Sequence, residues 1–254
     1  MELNDAIQKF IAEERIKDDW DIGLEQKLRY AVNKAYGDMM LRTIPGHKPE
    51  IKEKCSAWLT DHLGEFVKQA FESKKEYQEK HVELCNAFLE YFNGELKKVG
   101  ANAQLFGKAQ KVVNMAVKYL YCICDRQEYE DLFKYAHMPL DTYTLNWYYA
   151  QSSKKGGAKP AWSNLSSEEY LKIAQEISSF LEEPKDYEGT VLSSSPLEAD
   201  FIIWAGEKRK AALKELKSVL LKSSKDSDLI HCITAKDKKE MREYFEQIIQ
   251  DRVE

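Results

Sequence analysis

The segment FGKAQKVVNMAVKYLYC, Phe106 to Cys122, decides how the rest of the chain is read. Its apolar residues recur at helical spacing. At about 100° per residue Val112, Val113, Ala116, Val117, Leu120 and the following Ile123 spread over most of the circumference. A helix greasy on nearly every side belongs in a core. Yet Lys111 and Lys118 fall, with Met115 and Cys122, inside roughly 40° of one edge. The residues alone allow two explanations. Either the edge is a solvent face over which both lysines snorkel, or it opens into a cleft. There, an amine short of water beside a second cation loses pKa and becomes a nucleophile. The apolar crowding on both flanks weakens the solvent-face explanation, and the spacing alone does not decide between the two.

Outward from this segment, helical periodicity dominates. It predicts helices over 5–18, 23–42, 50–70, 71–98, 107–125, 127–136, 142–150, 166–182, 196–222 and 237–252, with hardly any run alternating like a strand. The expected class is all-α. Breaks fall at 43–49, 93–103, 137–141, 151–160, 182–196 and 223–228, where Gly, Pro, Ser and Asn collect. Two helix starts carry strong local chemistry. In SSSPLE, Ser195 is placed as N-cap, Pro196 at the first helical position and Glu198 where a capping box wants it. That register makes Asp200 and Trp204 neighbours one turn apart. In HMPLDTYTLNW, Pro139 disfavours a helical conformation at Met138, and Asp141 then has the chemistry of an N-cap.

The 254 residues suffice for a sizeable core, and 43% hydrophobic with 32% charged residues, 11 Gly and 6 Pro describe an ordered, helix-rich protein. A net charge of -5 gives no global attraction to a polyanion, although QSSKKGGAKP (151–160), with Lys154 and Lys155, and GEKRKAALKELK (206–217) are locally basic. Five cysteines, an odd number without paired spacing, point to reduced thiols in a cytoplasmic protein. Cys122 and Cys124 lie about 200° apart on a helix and cannot chelate one metal together, and His137 is too isolated to complete a site. The opening MELNDAIQKFIAEERIKDD holds no signal-peptide core, and no run reaches ~18 apolar residues. A soluble protein is expected.

The order of three landmarks adds specificity: GKAQKVV, then MPLDTYTLNW thirty residues on, then SPLEADFIIWAG. Over residues 105 to 206 this resembles the helix-hairpin-helix superfamily of base-excision DNA glycosylases, and within it the archaeal 8-oxoguanine DNA glycosylases. The resemblance implies a two-lobed helical fold with a helix-hairpin-helix-type element and a cleft between the lobes. It also implies that Lys111 is a Schiff-base nucleophile and Asp141 the essential carboxylate, with Met115, Lys118, Asp200 and Trp204 around the extruded base. Gly107 and Lys108 would meet DNA phosphates in the hairpin, and Lys154 and Lys155 in the basic loop. The implied partner is DNA carrying an oxidised or otherwise modified base such as 8-oxoguanine, bound by a monomer without membrane, metal or cofactor. Base release would be followed by possible AP-lyase cleavage. Two departures stand out. The hairpin's second glycine is replaced by Ala109, and Met115 stands where an aromatic is expected. Two alternatives therefore stay open: a glycosylase against modified bases of foreign DNA, and a non-catalytic helical binding protein. The expected organisation is one helix-rich unit, with N-terminal helices over 1–98, a glycosylase-like segment over 99–206 and C-terminal helices over 207–254.

Overall fold

The computed structural model describes residues 2–17, 20–39, 44, 47–151 and 160–223, side chains of 217–223 excepted. The predicted helix at 237–252, the break at 223–228, and Lys154 and Lys155 lie outside the described residues. Contacts divide the chain at Ala205/Gly206. The first unit is helical: α1 (Leu3–Glu13), α2 (Leu24–Asp38), α3 (Pro49–Val67), α4 (Lys74–Lys98), α5 (Phe106–Ile123), α6 (Glu130–Tyr135), α7 (Thr142–Gln151), α8 (Ser167–Leu181) and the start of α9 (Pro196–Ser223). A 3-10 turn occupies Trp162–Asn164. In the second unit α9 continues to Ser223, with Lys210 paired to Glu207 at 2.8 Å along the helix. The fold is all-α, and no described helix is long and apolar enough to cross a membrane.

The core is organised around α5. Every residue of it except Cys122 is buried, because α2, α4, α8 and the 3-10 turn pack around it. An apolar circumference of this kind is satisfied only at the centre of a helix cluster, where each face removes surface from water. The lysine edge is buried too. Lys108, Lys111 and Lys118 are 4%, 6% and 1% exposed, which rules out the solvent-face explanation.

Two local findings differ from the sequence expectation. The segment 182–196, expected as a break, folds into a small antiparallel hairpin, β1 (Asp186–Tyr187) against β2 (Thr190–Val191). Its two-residue turn, Glu188–Gly189, takes positive φ at both positions (54° and 82°), the geometry that suits a right-handed strand twist. Strands of two residues are too short to show alternation. At α9, Ser195 and Pro196 begin the helix as expected, with the Ala199 amide donating to Ser195 O at 2.9 Å. Glu198, however, does not return to the Ser195 amide. That N–H donates to Ser193 Oγ, and Glu198 accepts from Ser193 Oγ and, at 2.7 Å, from Tyr121 of α5. A complete capping box occurs instead at Ser166 and Glu169 of α8.

Gly107 stands inside the fold. Its amide donates to Leu165 O at 3.0 Å, and a Cβ built there would lie 1.9 Å from Trp162 O. The glycine lets the 3-10 turn approach the first turn of α5. Gly107→Ala is therefore expected to lower stability by about 3 kcal/mol, because backbone rather than a flexible side chain must yield. Chemical denaturation measures this, and a loss under 1 kcal/mol would mean that the turn can retreat.

Candidate active site

Two segments bring carboxylates to the lysine edge of α5. The loop 137–141 brings Asp141, whose two carboxylate oxygens do different work. Oδ1 accepts the Tyr143 and Thr144 amides at 2.8 and 3.1 Å, capping α7, while Oδ2 accepts from Lys111 Nζ at 2.7 Å. The capping and catalytic expectations for this residue are thus compatible. Burial alone would raise the Asp141 carboxyl pKa. The Lys111 ammonium and the two cap N–H groups outweigh it and hold the carboxyl below its ordinary value. The Asp141 side chain facing Lys111 is therefore held as a carboxylate.

The first turns of α9 bring Asp200, whose Oδ2 accepts from Lys118 Nζ at 2.6 Å. Lys118 also lies over the rings of Phe10, Phe201 and Trp204 at 4.3, 4.4 and 5.4 Å. Asp200 Oδ1 is buried with no hydrogen-bond partner among the described residues. Burial raises the Asp200 pKa, with Lys118 opposing and Asp141 adding to the rise. Asp200 is 1% exposed, not a solvated first-turn acid. The pairs differ in depth: side-chain exposure is 8% and 11% for Lys111 and Asp141, against 1% and 2% for Lys118 and Asp200.

Trp204 is half-buried, edge-on to Phe10 and Tyr143, and Met115 is buried on the same stripe as the lysines. The expectation that Gly107 and Lys108 meet DNA phosphates is corrected by their geometry. The Gly107 amide is committed to Leu165, and Lys108 Nζ donates to Met39 O at 2.8 Å and lies 4.9 Å from the centre of the Trp162 ring. Burial holds the Lys108 pKa below its usual value. The aromatic run 142–149 packs inward through Trp147 and Tyr148. Among the described residues no group of His, Cys, Asp or Glu is arranged to hold a metal.

Sequence reading missed two sets of groups. Asp38, at the end of α2, accepts from Tyr119 at 2.8 Å; burial raises its pKa, with Tyr119 and Lys111 opposing. Behind the pair lies a buried polar chain. Asn114 donates to Gln110 Oε1 and to Tyr170 OH at 3.1 and 3.0 Å, and its Oδ1 lies 2.7 Å from His81 Nε2, which must therefore donate. Tyr170 then spends its own hydrogen on His137 Nδ1 at 2.7 Å. The available signal was Gln110 and Asn114, two amides four residues apart inside an apolar run.

His81 and His137, the two histidines of this buried polar network, are neutral. Burial pushes His81 down to about 4, with the Asn114 bond opposing, and burial together with His81 and Lys74 lowers His137 well below its ordinary value. An unfolded chain protonates its histidines near 6.5. The folded-state values are depressed, so the unfolded state binds more protons below that pH. The stability these groups contribute is complete above about 6.5 and is lost as pH falls toward the folded values. We expect about 2 kcal/mol lost per histidine between pH 7 and pH 5. Urea midpoints at the two pH values measure it, and His81→Gln should shrink the difference. Equal midpoints in the unmutated protein would contradict buried neutral histidines.

No family model, curated protein or solved structure matches the chain.

Proposed function

We propose that the chain is a DNA glycosylase, with AP-lyase activity, acting on an oxidised or otherwise modified base such as 8-oxoguanine. The observation that carries this reading is the Lys111–Asp141 pair at 2.7 Å, set at shallower depth than a carboxylate oxygen on Asp200 that has no partner among the described residues. A base extruded from duplex DNA leaves its sugar near the entrance of a pocket and its ring deeper inside. That matches a nucleophile above and an acceptor for a ring N–H below. The two-lobed glycosylase arrangement with its cleft belongs to the same proposal.

In the reaction Lys111 first gives up a proton to water. Its Nζ lone pair then forms a bond to C1′ of the deoxyribose, the glycosidic C–N bond breaks, and the base departs with the bonding pair and takes up a proton from water, which balances the one Lys111 released. Asp141 remains charged and opposes the positive charge that develops on the sugar. Ring opening leaves an imine between Lys111 and C1′. Loss of a C2′ proton then expels the 3′ phosphate and cleaves the strand.

The test is borohydride trapping with duplexes bearing different modified bases, including 8-oxoguanine and modified bases of foreign DNA. Hydride reduces the imine to a stable amine, so the reading predicts a covalent protein–DNA adduct. Base release without an adduct would indicate a monofunctional glycosylase. Binding without either would favour the non-catalytic alternative, which the acidic net charge suits.

A further inference from the structure

The distance between Lys111 and Asp141 joins two segments thirty residues apart, so something must hold the loop 137–141 against α5. The loop's own bonds fix its shape. Thr144 Oγ1 donates to Pro139 O at 2.9 Å and accepts from the Asp141 amide at 2.8 Å, and the Leu145 amide donates to Asp141 O at 2.9 Å. None of these reaches α5. Gln110 does. Its Nε2 donates to Leu140 O at 2.8 Å and its Oε1 accepts the Leu140 amide at 3.2 Å, so one side-chain amide grips both polar groups of the residue before Asp141. Nε2 also donates to Gly107 O at 3.0 Å, which ties the clamp to the first turn of α5.

The clamp is itself held in one orientation. Asn114 donates to Gln110 Oε1, which leaves Nε2 facing Leu140 O, and Asn114 is oriented by His81 and Tyr170. Reversing the Gln110 amide would set donor against donor at Asn114 and at the Leu140 amide. Gln110 and Asn114 are fully buried, so water cannot substitute for a lost partner.

We propose that Gln110 is the positioning residue of this site: by gripping the Leu140 peptide it sets Asp141 at bonding distance from Lys111. Gln110 touches neither reacting atom and acts through the loop. The proposal deepens the glycosylase reading and rests on it only for its kinetic arm; the Lys111–Asp141 geometry can be read without any substrate.

The experiment compares Gln110→Leu, which removes both bonds, with Gln110→Glu, whose buried protonated carboxyl can accept from the Leu140 amide and donate to Leu140 O. The first readout is the Asp141 carboxyl titration followed by carbon NMR. In Gln110→Leu the midpoint should rise toward the ordinary carboxylate value as Lys111 moves away; in Gln110→Glu it should stay low. The second is the single-turnover trapping rate per folded molecule, expected to fall about 100-fold in Gln110→Leu with duplex affinity unchanged, and to recover in Gln110→Glu. A folded Gln110→Leu protein with an unmoved Asp141 midpoint would overturn the proposal, as would equal loss of rate and affinity. If Gln110→Leu does not fold, Asn114→Ser, which removes only the clamp's lateral support, should raise the midpoint by a smaller amount, and no rise there also overturns it. If the unmutated protein traps no duplex, the glycosylase reading fails and the titration alone decides the role of Gln110.

Discussion

On the proposed glycosylase reading, Lys111→Gln is expected to abolish the borohydride-trapped adduct and to slow base release by about 10³-fold or more, while duplex affinity changes little. Glutamine is chosen because its amide can still donate to Asp141 Oδ2, so a buried carboxylate is not stranded. What disappears is the one lone pair that can form an imine at this position. Asp141→Asn separates the other half of the pair. Its carbonyl oxygen can retain the Tyr143 and Thr144 bonds that cap α7, so folding and the proposed DNA binding are expected to persist. The negative charge that the proposal sets against the sugar is lost, and turnover is expected to fall. If Asp141→Asn lost binding and turnover together, capping would be its principal role. An adduct that survives in Lys111→Gln would move the nucleophile elsewhere, and Lys108 would be next, since burial already lowers its pKa.

Asp200→Ala is expected to lower stability by about 4 kcal/mol, because it leaves Lys118 without its carboxylate partner at 1% exposure. The rings of Phe10, Phe201 and Trp204 offer that cation some compensation, worth about 2 kcal/mol when water is excluded. They cannot replace a charge-assisted bond at 2.6 Å. The double variant Lys118→Met with Asp200→Leu removes both charges and should recover the unmutated stability or exceed it, since a packed apolar pair avoids desolvating two ions. Stability is then not what this pair is for, and the same double variant should fail to hold a modified base. Denaturation midpoints and duplex affinity, measured side by side, separate the two effects. A cost below 1 kcal/mol for Asp200→Ala would mean that Lys118 reaches water when its partner is removed.

Much of the helical framework was legible in the sequence, and particular residues show why. Pro196 and Ser195 place the start of α9 by local chemistry, and the periodicity of Val112, Val113, Ala116 and Val117 marks α5 as a core helix. Asp141 as a cap was equally local. The hairpin at 186–191 was not legible, because its strands hold two residues each. The diversion of Glu198 from Ser195 to Tyr121 was not either, since its partner lies 77 residues away. Gly107 was read as a hairpin glycine, whereas its neighbour Trp162 comes from 55 positions further along the chain.

The sequence by itself determined the all-α class, the places where most helices begin and end, and the fact that one buried helix carries lysines along a single edge. These follow from interactions within a turn or two of the chain, which periodicity and capping express directly. Only the tertiary structure decided that the edge faces inward, that Lys111 meets Asp141 and Lys118 meets Asp200, and that Gln110 joins the first pair through Leu140. A helix fixes which side chains share a face. What that face touches depends on segments 30 to 82 residues away, and the choice between solvent and a carboxylate is made when those segments pack.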